Sequence, residues 1–265
     1  MCFVFRVANV KEERHMLQID LANLINLDLV PRLVQKYSGI GALPLALPKF
    51  VLDDATEFWR IWNSEVVAVE KPPGDEVLSQ YNPTESFINC WDGLSMYEES
   101  TLLSKTSWKT KISTNLITSQ HQFLKSVFEL LPFKRIRCVR LWSAHREVKA
   151  HSDAIISNSL TGVLRFPAEI RIMLDDQNPC ETFWLTSVDQ HAPLMPVPEA
   201  DKHFVKLPMD TNTFAWNNED YLHGADYHPQ HRKILVVVKG WIDVEQLEQL
   251  LDQSINKYPE YIIKG

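Results

Sequence analysis

The feature that most constrains this chain is a succession of short β-prone segments in its second half, each bounded by Gly, Pro, Asn or Asp. Segments 134–143, 162–166, 169–174, 182–186, 203–207, 213–216 and 233–241 read as strands. Seven short strands separated by turn signals predict an all-β sandwich or barrel, because no single pair of them could bury its apolar face alone. Helical periodicity is confined to three places. Residues 12–26 place Met16, Leu17, Ile19, Leu21, Leu24 and Ile25 at helical spacing. Residues 121–131 do the same with Phe123, Leu124, Val127, Phe128 and Leu131 before Pro132, and 244–258 with Val244, Leu247, Leu250, Leu251 and Ile255. Residues 3–8 read as a short strand and 32–37 as a brief helical turn. Gly39, Gly41, Pro44 and Pro48 mark 38–50 as loop. Residues 57–69 carry helix and strand signals together, 86–97 are strand-like, and 99–113 are polar and irregular. Pro193, Pro196 and Pro198 mark 189–201 as a long loop at the rim.

Composition excludes some functions. A net charge of −7 over 265 residues argues against a general binder of nucleic acid or anionic membrane, since neither polyanion gains from an acidic surface. The apolar start, Met1 to Val7, is broken by Lys11-Glu12-Glu13-Arg14, which is too short for a signal sequence, and no run approaches a membrane span. Cys2, Cys90, Cys138 and Cys180 are widely spaced, with no CxxC pair, so free thiols are expected rather than a zinc site or disulfide framework. A cytoplasmic location follows as an expectation.

The chemistry-bearing residues are few. His151 and Asp153 are two apart and project from one face of an extended strand. His223 follows 72 residues later, and Arg232 nine beyond it, just before the apolar run Ile234 to Val238. Two neutral imidazoles and a carboxylate make the facial triad that holds ferrous iron with its opposite positions open. A guanidinium beside such a site suits a bidentate clamp on a carboxylate. Each residue also has a plainer reading: His151 and Asp153 as a solvated loop pair, Arg232 as a surface cation, and His228 or His231 in place of His223. Arg171, between Ile170 and Ile172, points either into a barrel or outward toward Glu169 or Asp175. Trp184 and Trp216 read as core, and His191 and His203 as surface residues.

The ordered set His151, Asp153, His223 and Arg232 resembles the Fe(II)/2-oxoglutarate-dependent dioxygenases, in particular the aspartyl/asparaginyl β-hydroxylase-like branch with its small amino-acid hydroxylases. Arg171-Ile172-Met173-Leu174-Asp175 and Trp91-Asp92-Gly93-Leu94-Ser95 resemble further segments of that branch, so the likeness spans residues 85–242. It implies a mainly β protein with flanking helices and a double-stranded β-helix (jelly-roll, cupin-like) core. Residues 1–84 would be an N-terminal helical and loop extension packed on that core, and 85–265 the core with its C-terminal helix. It also implies His151, Asp153 and His223 as iron ligands, with Arg232 and Arg171 binding 2-oxoglutarate. Fe(II), 2-oxoglutarate and O2 would together hydroxylate a small molecule such as an amino acid or derivative. The carboxylate of Asp153 favours hydroxylation over halogenation, which needs that ligand position open to halide. Two departures bear on substrate choice: the 72-residue ligand spacing is long, consistent with an insertion at 187–202, and Met209 to Thr213 replace a Gly-containing turn before Trp216. Three rivals stand beside this expectation: a hydroxylase of protein side chains, a cupin-like metal-binding protein without turnover, and a zinc hydrolase. The last lacks a helical HExxH base.

Overall fold

The computed structural model describes residues 33, 35–69, 91–99, 110–151, 169–174, 182–187, 195–217, 221–227 and 233–264. The expected strands at 3–8 and 162–166 and the helix at 12–26 lie outside them, as do Asp153, His191, His228, His231 and Arg232. In chain order the strands are β1 (Ile40–Pro44), β2 (Val67–Ala68), β3 (Trp91–Glu98), β4 (Lys111–Ile112), β5 (Phe133–Ala144), β6 (Val148–His151) and β7 (Glu169–Leu174). They continue with β8 (Phe183–Thr186), β9 (His203–Phe204), β10 (Thr213–Trp216), β11 (Leu222–Ala225), β12 (Ile234–Ile242) and β13 (Ile263–Lys264). Among the described residues four α-helices accompany them: α1 (Ala55–Glu65), α2 (Thr114–Ser119), α3 (His121–Leu130) and α4 (Val244–Lys257). None of the described helices is long and apolar enough to cross a membrane.

Strands β5 to β12 follow the order of a double-stranded β-helix, crossing between two sheets at every step except β8 to β9, which pair within the smaller one. The larger sheet contains β10-β7-β12-β5 and the smaller is β6-β11-β8-β9, with antiparallel pairing throughout these eight strands. Strands β13 and β1 extend the larger sheet beyond β10, and β3 and β2 extend it beyond β5. The expected mainly β jelly roll with flanking helices is what the chain forms.

Strand β12 shows why the sheets stack this way. Its residues Ile234 to Val238 are all buried, and they divide by parity. Ile234, Val236 and Val238 join a core shared with Phe58, Trp62, Phe123, Val127, Leu247 and Leu251, the layer between the larger sheet and the helices. Leu235 and Val237 join the layer between the sheets, with Val148, Phe183, Leu185, Phe214 and Trp216. A strand apolar on both faces belongs in the middle of a sheet covered on both sides.

Several local readings change in three dimensions. The Gly- and Pro-bearing stretch 38–50 contains β1: Gly39 takes φ 81° to turn the chain, and β1 then pairs with β10. A positive φ is cheap only without a Cβ. Residues 57–69 resolve into α1, capped by Asp54 accepting from the Glu57 amide at 2.9 Å, followed by β2. Phe128, read as part of an apolar face, is 40% exposed and packs edge-on against Tyr97. Strand β11 has only four residues, two of them His and Gly, and carries no β-propensity signal of its own; it exists because β6 and β8 flank it. Helix α3 has no cap from its own Gln120. Instead, Asp53 accepts from the amides of Gln122 at 2.7 Å and Phe123 at 2.8 Å.

Candidate metal centre

His151, the last residue of β6, and His223, the second of β11, are direct cross-strand partners. Their ring centroids are 4.1 Å apart. Opposite residues on one sheet face have Cβ atoms about 4.5–5.5 Å apart, so both imidazoles stand on the same side. That side faces the interior: Leu185, paired with His223 across β8, belongs to the inter-sheet core, as do Val148 and Ala225 two or three positions along. The register between β6 and β11 shifts by one residue between His223 and Ala225, a bulge that re-aims this end of the ladder.

The other face explains Gly224. It pairs with Trp184, and a Cβ built at Gly224 would lie 2.3 Å from the indole and 2.5 Å from the Val148 carbonyl oxygen. Glycine here lets the indole lie flat on the back of β11. The Trp184 Nε1 donates to Asp226 at 2.9 Å, and Lys202 donates to the same carboxylate at 2.8 Å from above the indole face. Val197 and, on β9, Phe204 cover the same patch. These side chains back the strand that carries His223.

The two imidazoles are set up differently. His151 is half-buried, and its Nδ1 donates to the Lys149 carbonyl at 2.8 Å. A carbonyl can only accept, so Nδ1 carries a proton and Nε2 is the nitrogen left to bind a metal, the arrangement common to metal-binding histidines. His223 is 4% exposed, and burial holds it well below the usual imidazole range, assisted by the nearby His151 and Arg171. It is therefore neutral at physiological pH.

Arg171 points inward. It is 4% exposed, with its guanidinium carbon 3.8 Å from the ring centroid of Trp216. Trp216 in turn meets His223 at 4.8 Å between ring centroids. Arg171, Trp216, His223 and His151 thus form one contiguous series on the interior face. Phe183 meets Trp216 edge-on at 6.4 Å between ring centroids, and Trp91 stacks on Phe183 at 6.4 Å and tilts on Trp142 at 5.8 Å. Trp184 and Trp216 are buried as expected, and His203 is exposed as expected. Cys138 is a buried free thiol.

The donor chemistry fits a divalent transition metal as far as the described residues extend: two imidazoles converge on one interior face. Among the described residues no third His, Cys, Asp or Glu joins them. The expected third ligand, Asp153, and the expected clamp, Arg232, lie outside those residues. Sequence reading passed over Arg140 and Glu98, which share the inner face of the larger sheet. Their signal was parity alone, since Arg140 is two before Trp142 and lies between the outward-facing Val139 and Leu141.

Among solved structures, the chain is similar to a prolyl hydroxylase from Trichoplax adhaerens in complex with a hypoxia inducible factor oxygen degradation domain peptide fragment. That match has 9% identity, covers 91% of this chain and 97% of that one, and has a TM-score of 0.38. The chain is also similar to the non-heme alpha ketoglutarate dependent epimerase SnoN from nogalamycin biosynthesis, at 15% identity over 80% of this chain and 83% of that one, with a TM-score of 0.33. No family model matches the sequence, and neither does any curated protein. Both structural likenesses are remote, and the double-stranded β-helix stands on the strand order itself.

Proposed function

We propose that this protein is an Fe(II)/2-oxoglutarate-dependent oxygenase of the aspartyl/asparaginyl β-hydroxylase-like type, hydroxylating a small molecule such as an amino acid or derivative. One observation carries the reading: two imidazoles 72 residues apart in sequence are cross-strand partners facing the interior of a double-stranded β-helix, 4.1 Å between rings. In this proposal His151, Asp153 and His223 hold the iron, and Arg232 and Arg171 bind the carboxylates of 2-oxoglutarate. The bound iron would couple oxidative decarboxylation of 2-oxoglutarate to succinate and CO2 with oxygen insertion into a substrate C–H bond.

The chain's own residues supply the rest. The Lys149 carbonyl holds the His151 ring so that Nε2 faces the site. Burial keeps the His223 imidazole unprotonated and available as a donor. Trp216 fixes the plane of the Arg171 guanidinium while keeping it inside the chamber. The test is succinate release from 2-oxoglutarate in the presence of Fe(II) and O2. Wild-type protein should turn over, and His151→Ala and His223→Ala should not. Equal succinate release by these variants overturns the proposal.

A further inference from the structure

We infer that Lys233 is the receptor for the carboxylate of a small organic acid, the substrate's own in the reading above. The inference deepens the proposed function and rests on it only for calling that acid the substrate.

The placement follows from strand parity. On β12, Leu235 and Val237 join the inter-sheet core, whereas Ile234, Val236 and Val238 face the helices. Lys233 immediately precedes β12 and continues the alternation on the inter-sheet side. Leu235 pairs with Trp142 on β5 and Met173 on β7, and two residues further along Val237 pairs with Arg140 and Arg171. Lys233 therefore stands at the end of the same wall, about 14 Å along the strand from the row that holds both arginines.

The cations of this wall are not equally engaged. Arg140 donates to Glu98 at 2.9 Å, and Arg171 lies over the Trp216 ring at 3.8 Å. Lys233 is 8% exposed, and among the described residues it has neither a hydrogen bond nor an ion pair. Lysine is almost never buried unpaired, because its ammonium gives up water and gains no replacement. A lysine that only lays its stem on apolar surface keeps its head in water, and the residue then stays well exposed. Lys233 does not fit that pattern.

Its Nζ is nevertheless not sealed. The indole Nε1 atoms of Trp142 and Trp216, on the same inter-sheet side, are fully buried and have no acceptor, whereas the Lys233 ammonium keeps contact with solvent. A solute can arrive by the same route. Donors without acceptors on one face call for a ligand that brings its own oxygen acceptors. One ammonium neutralises one negative charge, which matches a carboxylate; a phosphate dianion would be left half-compensated.

The experiment is anaerobic calorimetric titration of protein loaded with Mn(II) and 2-oxoglutarate, in wild type and in Lys233→Met. The titrants are the free L-amino acids, the carboxamide of each one that binds, and inorganic phosphate. Methionine keeps the apolar stem and removes the charge. In wild type the carboxamide should bind about 10-fold or more weakly than the free acid, and in Lys233→Met that gap should close. Titration of 2-oxoglutarate itself, with and without Mn(II), separates the sources of the carboxylate. A loss in Lys233→Met confined to 2-oxoglutarate keeps Lys233 as a carboxylate receptor and gives it to the co-substrate. Should the variant not fold, wild type suffices: reductive methylation of Lys233, read by peptide mass spectrometry, should slow with the binding acid present and not with its carboxamide. The inference is overturned if Lys233→Met weakens neither an amino acid nor 2-oxoglutarate, or if methylation of Lys233 proceeds equally with and without both. Binding of phosphate through Lys233 more tightly than any acid also overturns it. Binding of 2-oxoglutarate that is indifferent to Mn(II) counts against the oxygenase reading alone, and the amino-acid comparison then still decides the role of Lys233.

Discussion

Gly224→Ala should damage stability and the candidate metal centre together, because one added carbon meets two different obstacles. The new Cβ would lie 2.3 Å from the Trp184 indole and 2.5 Å from the Val148 carbonyl oxygen. An ordinary C···O approach is about 3.3–3.6 Å, so the backbone of β6 must retreat from β11 by about 0.8 Å or more. Overpacking of this kind costs about 1–3 kcal/mol. For a chain of this size each kcal/mol lowers Tm by about 2–4 °C, so the variant should melt about 2–12 °C below wild type. The same retreat separates His223 from His151, which are partners one residue along the same ladder. Thermal melts with and without Zn(II), a redox-inert probe of the pair, read both effects: the variant should lose Tm and also lose the part of its stability that the metal confers. Trimming the indole in Gly224→Ala/Trp184→Phe should recover only part of the loss, since the carbonyl remains in place. A wild-type melting temperature and metal response in Gly224→Ala would refute the reasoning. So would full recovery in the double variant, which would mean that the strand spacing was never under strain.

Three further outcomes follow from named contacts. Asp53→Ala removes the acceptor for two amides at the start of α3 and should cost about 1–2 kcal/mol by denaturant unfolding, although Asp53 is nearly seventy residues from that helix. Ser254, fully buried, accepts from the Ala46 amide at 2.8 Å and donates to Leu250, so Ser254→Ala leaves a buried N–H unsatisfied at a cost of about 1–3 kcal/mol. Glu65 is held below the usual carboxylate range, chiefly by the Asn115 amide donor, with Ser113 and Lys111 assisting. Its unfolded form takes up a proton near pH 4.5 while the folded form does not. Its contribution is therefore present above that pH and lost as pH falls through the lower folded value, and Glu65→Gln should flatten the acid limb of a stability–pH profile.

Much of the architecture can be read from local pattern because it depends on local pattern. The 169–174 and 213–216 strands coincide with β7 and β10, and 244–258 with α4 to within one residue, since alternation and helical periodicity state directly which faces meet a core. The same reading failed at β11, where Leu222-His223-Gly224-Ala225 has no propensity of its own, and at β1, where Gly and Pro suggested loop. Both are strands by virtue of neighbours distant in the chain, and no local window contains those neighbours.

By itself the sequence determined the chemistry on offer: two histidines, the arginine of β7 and the strand parity that carries them. Only the tertiary structure decided which of these groups meet. Cross-strand register brings His151 opposite His223, and a stacked indole turns Arg171 inward where sequence left two directions open. Arg140 and Glu98, 42 residues apart, become a pair only because β3 lies against β5. The reason is the same in each case: side-chain identity and alternation are properties of a segment, whereas register is a property of two segments and is set by whichever pairing buries the most apolar surface across the whole sheet.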